Sequence, residues 1–266
     1  MSVLTAVAGT AVIAVALSLA MVRAWTMWRR TRNGGWIDVT WTHAVGICGG
    51  LAAIAPLPGT PSSLRDGVVA AAALSWALRL GGHLDGRTRA RPNDPRYAAL
   101  VAGWGAQAEA RMFRFCQLQA LFALPLVASI ALAAHNRAGP IGLQDIVALA
   151  VLAVGIAGAS AADRQLERYV VGRRGGICDT GLWRHSRHPN YFFEWLGWCA
   201  WPIFAIEVTG AAPLGWLALT APAVMYVLLV YVSGIPPLEA HMLRTRGEAW
   251  RAYAARTRAF WPLPIR

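Results

Sequence analysis

Residues Val3 to Val22 run for a full membrane-crossing length without one charged side chain. A bilayer core needs about 20 consecutive apolar residues per helix. It also demands that every backbone N–H and C=O be satisfied internally, which leaves helices or closed barrels. The run lacks a basic leading segment and is followed by arginines and more apolar stretches, so it reads as a true first span rather than a cleaved leader. Comparable stretches follow near 36–56, 67–83, 115–134, 145–162, 190–208 and 213–233. The expectation is an all-α polytopic membrane protein, one transmembrane domain over 1–266 with about seven spans. Composition agrees: 56% of residues are hydrophobic and 14% charged, too little charge to wet the whole surface of a soluble chain of this length.

The arginines report the topology. Arg23, Arg29, Arg30 and Arg32 fill residues 23–35, and Arg87, Arg89, Arg91, Arg96, Arg111 and Arg114 fill 84–114. Residues 163–189 hold Arg164, Arg168, Arg173, Arg174, Arg184 and Arg187, and a further group follows residue 234. The intervening connections, 57–66, 135–144 and 209–212, carry only Arg65 and Arg137. With seven spans, all the rich segments fall on one side, and the positive-inside bias then predicts an external N-terminus and a cytoplasmic C-terminus. The net charge of +12 comes from arginine alone, without lysine, and calls for no nucleic acid. Arg79 lies inside the third span, where it either snorkels to the interface or serves a site. The tail 237–256 reads as an amphipathic helix, suited to lie on the membrane surface or cap a pocket. Cys48, Cys116, Cys178 and Cys199 show neither metal spacing nor a disulfide framework, and no metal site is expected.

Polar density peaks between Asp163 and Glu194. There the chain leaves the fifth span, passes a glycine-rich turn and enters the sixth through Gly181-Leu-Trp-Arg184-His-Ser-Arg187-His188-Pro-Asn190-Tyr191-Phe-Phe-Glu194. Guanidinium forks and aromatic faces in one run suit a phosphate-bearing, nucleotide-type ligand. A solvated basic loop held by lipid head groups accounts for the arginines equally well. It does not account for Asn190 and Glu194, four residues apart on one face of a helix entering the membrane, where ionisable groups usually mark function.

This run resembles the signature of the bacterial steroid 5α-reductase-like integral membrane family, related to sterol reductases and isoprenylcysteine carboxyl methyltransferases. Ala162-Asp163-Arg164-Gln165-Leu166, the stretch from Trp76 and Arg79 to Asp94-Pro-Arg96-Tyr97, and Gly247-Glu-Ala-Trp250-Arg-Ala-Tyr253 before Pro262 are similar to further family segments. The resemblance implies a cavity open to the cytoplasm that holds NADPH, with a lipid-side entrance for a hydrophobic small molecule from the bilayer. It puts Asp163 and Arg168 near the cofactor, Asn190 and Glu194 at its nicotinamide end, and Arg184, Arg187, His188 and Tyr191 along the pyrophosphate or ribose. His241 and Arg246 in the tail are looser matches.

The implied enzyme resembles a 3-oxo-5α-steroid 4-dehydrogenase, moving hydride to an alkene conjugated with a carbonyl. It would sit in a bacterial inner membrane with its site facing the cytoplasm. Such a reaction needs an acid near the carbonyl oxygen. The family's glutamine–glutamate pair is missing, and Trp76 stands near its tyrosine. The remaining candidates are Asp38, His43 and Trp41 on the second span, with Tyr97 and His83 beyond the third. A second expectation is a methyltransferase using S-adenosylmethionine, for which little acid–base machinery is needed. A lipid-binding or transport protein is a third.

Overall fold

The computed structural model describes residues 3–56, 62–135, 140–172 and 176–263. Arg137, Arg173 and Arg174, counted above by side, lie outside them. Among the described residues the fold is all-helical, and six helical stretches are long and apolar enough to cross a membrane. They are Val7–Thr31, Gly35–Ile54, Leu64–Ala90, Pro95–His135, Leu143–Gly172 and Pro213–Arg256. The expected span at 190–208 is instead two short helices broken at Cys199, whose N–H donates to the carbonyls of Trp195 and Leu196.

The chain divides into two compact units. The first comprises Met1–Ile146 and Trp201–Ala221. It contains α1 (Val3–Thr31), α2 (Gly35–Ile54), α3 (Leu64–Ala90), α4 (Pro95–Trp104) and α5 (Ala108–His135). Glycine makes the close packing of α2 possible: a Cβ on Gly46 would strike Ala77 of α3, and one on Gly49 would strike Ile130 of α5. On α1, Val12 and Leu19 remain 69% and 63% exposed within this structure, as suits a helix that faces lipid. Ser63 and Asp66 form a reciprocal capping box at the start of α3. Asp94 caps α4 by accepting from the Arg96 N–H, with Pro95 at the first helical position.

Arg65, expected in a connection, is 2% exposed and reaches Asp145, which is wholly buried. Its Nε donates to Oδ1 at 3.0 Å and its Nη2 to Oδ2 at 3.3 Å, while Gly142 N–H donates to the same carboxylate. This arginine therefore says nothing about surface charge.

The second unit comprises Val147–Ala200 and Pro222–Arg266. It contains most of α6 (Leu143–Gly172), α7 (Pro189–Trp198) and α10 (Ile235–Arg256), reached through α9 (Thr220–Val227) and a wide turn over Leu228–Val232; α8 (Ala200–Ala205) follows α7 in the chain. Gly155 and Gly158 let α6 meet α7, since a Cβ on Gly155 would lie 2.7 Å from Gly197 and one on Gly158 would strike the Phe193 ring. The tail expected as one helix is two, kinked at Gly247, whose φ of 53° favours glycine.

Candidate functional site

The segment between α6 and α7 is held from both sides. On the α6 side, the Gln165 side chain accepts from Leu182 N–H at 2.9 Å, and the Trp183 indole donates to the Ala162 carbonyl. Gly181 turns there with φ of 60°, in contact with Gln165 where no Cβ would fit. On the tail side, the Ser186 hydroxyl donates to the carbonyls of Ala259 and Phe260, and the Tyr253 hydroxyl donates to those of Trp183 and Ser186. A tyrosine, a serine and a tryptophan thus convert a loop into a rigid plate.

At its end, Pro189 starts α7, and the first turn brings Asn190 to Asp163, both expected near the cofactor. The Asn190 amide donates to Asp163 of α6 at 3.0 Å, and Asn190 Oδ1 accepts from Tyr191 N–H. Asp163 is 7% exposed and Glu194 9%; the latter accepts from the Trp198 indole at 3.3 Å. Asn190 and Glu194 lie on one helix, as the spacing implied. Arg168 and Arg184 are exposed, as is Arg246, and His241 is half-buried.

Arg187 and His188 stand differently from Arg168 and Arg184. Four of the five Arg187 N–H groups are engaged within the protein, by both Glu239 oxygens and by the carbonyls of Ala254 and Thr257. His188 is 2% exposed, shares Glu239 at 3.0 Å and stacks on Tyr191. Burial lowers the imidazole's proton affinity, against the opposing pull of Glu239. Glu239 was not anticipated from sequence; its only signal is an acid among arginines just after the Ile235-Pro-Pro that opens the tail.

Asp38, His43, Trp76 and Tyr97, expected at the reacting end of the site, lie in the first unit. Asp38 accepts from the Tyr97 hydroxyl at 2.6 Å and from the Arg96 guanidinium, which also binds Asp94. Gln119 approaches the Tyr97 oxygen at 3.5 Å. Tyr97 packs on Gly34, where any Cβ would collide with its ring. His43 sits apart from this group, its imidazole filling the notch left by Gly81 of α3. Trp76 is 3% exposed. The Trp41 indole donates to the Gln119 carbonyl, a packing role. Asp38 and Tyr97 are therefore one unit, brought together by the N-cap of α4, while Arg96 and Asp94 are its unforeseen supports.

These features define a polytopic helical membrane protein with two polar clusters, one at the α6–α7 entry and one at the α2–α4 junction. The chain belongs to the DUF1295 family, a protein family of unknown function, whose model matches residues 24–257. Comparison with curated proteins and with solved structures finds no match.

Proposed function

We propose that the protein is an NADPH-dependent membrane reductase, acting on a carbon–carbon double bond conjugated to a carbonyl in a hydrophobic steroid-, isoprenoid- or lipid-like molecule. The observation that carries this reading is the Asp163–Asn190 hydrogen bond within a plate held rigid from both sides. DUF1295 is a membrane-protein family associated with steroid 5α-reductase-like proteins, which agrees with the resemblance of the α6–α7 segment. The donor set suits a dinucleotide: exposed guanidinium groups on Arg168 and Arg184 match phosphate, and Asn190 keeps a second amide hydrogen for a carbonyl.

Bound NADPH supplies a hydride to the β-carbon of the enone. Asp163 holds the Asn190 amide in one orientation, so the ligand meets a preformed donor. As the β-carbon gains hydride, electrons move to the carbonyl oxygen and the α-carbon then takes a proton. Asp38, His43 and Tyr97 of the first unit are the candidates for its donor, and the Tyr97 hydroxyl gives its hydrogen to Asp38.

One observation favours methyl transfer from S-adenosylmethionine instead. Asp38 accepts hydrogen bonds on both oxygens, and the Tyr97 proton points at it, which leaves little ready acid. Melting the detergent-purified protein with NADPH, NADH and S-adenosylmethionine separates the readings, since a ligand at 100 times its Kd adds about 2.7 kcal/mol. Stabilisation by NADPH supports the reductase, stabilisation by S-adenosylmethionine alone selects the methyltransferase, and no response to any of them overturns both.

A further inference from the structure

We infer that Glu239 is the positioning residue of the nucleotide site, setting the first turn of α7 through His188 and Arg187; this rests on the NADPH reading above. Glu239 Oε1 accepts from Arg187 Nε at 2.7 Å and meets His188 Nε2 at 3.0 Å, while Oε2 accepts from Arg187 Nη2 at 3.1 Å. His188 is the N-cap of α7, and its ring stacks on Tyr191 with centroids 5.4 Å apart and planes 13° from parallel. One carboxylate thus determines a ring at the helix entry and, through it, the ring one turn later. Asn190 lies between them and binds the Tyr191 N–H.

Arg187 acts here as a strut. Its Nη1 spans the carbonyls of Ala254 and Thr257, so its fork is spent inside the protein and one N–H is left over. Phosphate contacts then fall to Arg168 and Arg184.

Docking of the loop on the C-terminal segment does not depend on Glu239. Arg187 N–H donates to the Arg258 carbonyl, and the Ser186 and Tyr253 hydroxyls each donate one hydrogen between two further carbonyls. What Glu239 adds is the orientation of two side chains at the start of α7. Arg256 and Asp179 provide an internal control, because they also join the tail to the loop but touch no residue of α7.

The test measures NADPH dissociation constants by titrated melting, in the full-length protein, for wild type, Glu239→Gln and Asp179→Asn. Glu239→Gln keeps the shape and loses the charge; its constant should rise about tenfold or more, while Asp179→Asn stays within about twofold of wild type. Should Glu239→Gln fail to fold, Glu239→Asp takes its place, since one methylene less prevents simultaneous contact with Arg187 and His188. A side-chain nitrogen spectrum of histidine-labelled protein should also show the His188 signal moved in either variant. Wild-type affinity in a folded Glu239 variant overturns this inference alone. Equal weakening in Asp179→Asn overturns it too, since both would then act only as fasteners. A wild type that ignores NADPH overturns the parent reading and this one together.

Discussion

Asn190 in the first turn of α7 donates its amide to Asp163 of α6 at 3.0 Å, joining two residues that lie on either side of the arginine-rich connection. Asp163 is almost completely buried, and an unmet carboxylate there would be costly. The bond therefore both closes α6 on α7 and freezes the amide.

Asn190→Ala should weaken NADPH binding by about 0.5–1.5 kcal/mol, the range for a hydrogen bond between neutral groups. Titrated melting curves measure it, and membrane insertion should remain as in wild type. Unchanged affinity would remove Asn190 from the site.

Tyr97→Phe deletes one hydroxyl from a buried, close-packed ring. If that hydroxyl delivers the proton, enone-dependent NADPH oxidation should drop by about 10²–10⁴, the usual yield of general acid catalysis. The NADPH-induced rise in melting temperature should be unaffected. A variant with wild-type turnover would return the search to Asp38 and His43.

Arg65→Leu or Asp145→Asn alone should each cost roughly 3–5 kcal/mol, because either leaves an uncompensated buried partner. The double replacement Arg65→Leu with Asp145→Leu should recover much of that, since a well-packed apolar pair avoids the desolvation cost. Thermal unfolding of the three variants in one detergent decides; equal losses in singles and double would count against the argument.

Asp94 predicts an acid limb of stability. Burial alone would raise its carboxyl, but the adjacent Arg96, with help from Arg87, holds it down at about 2 against an ordinary 3.8. The folded value lies below the unfolded one, so this stability is complete above pH 3.8 and disappears as the pH falls through about 3.8 to 2. Asp94→Asn should melt below wild type at neutral pH, and the gap should close across that window. A gap of constant size down to pH 2 contradicts the assignment.

Much of this was legible in the residues. The apolar runs located the long helices, and the Asn190–Glu194 spacing placed both on one helix. The break at Cys199 was not legible, because 190–208 is apolar on balance despite Asn190, Glu194 and Glu207, and a hydropathy count does not distinguish one helix from two. Nor was the kink at Gly247, since a glycine in an arginine-rich helix costs only about 1 kcal/mol and is often tolerated. Arg187 and Arg184 look alike in sequence; one is spent on Glu239 and the other is exposed.

By itself, then, the sequence determined that this chain is helical and lives in a membrane, because about 20 apolar residues suffice for a span whatever their neighbours. It also marked the α6–α7 entry as the place where polar groups concentrate. Only the tertiary structure decided what each polar group does. Arg187 meets Glu239 across 52 residues and Arg65 meets Asp145 across 80, and such pairings are set by which helix faces pack together. In a low-dielectric interior a charge is defined by its partner, and the partner is a property of the fold.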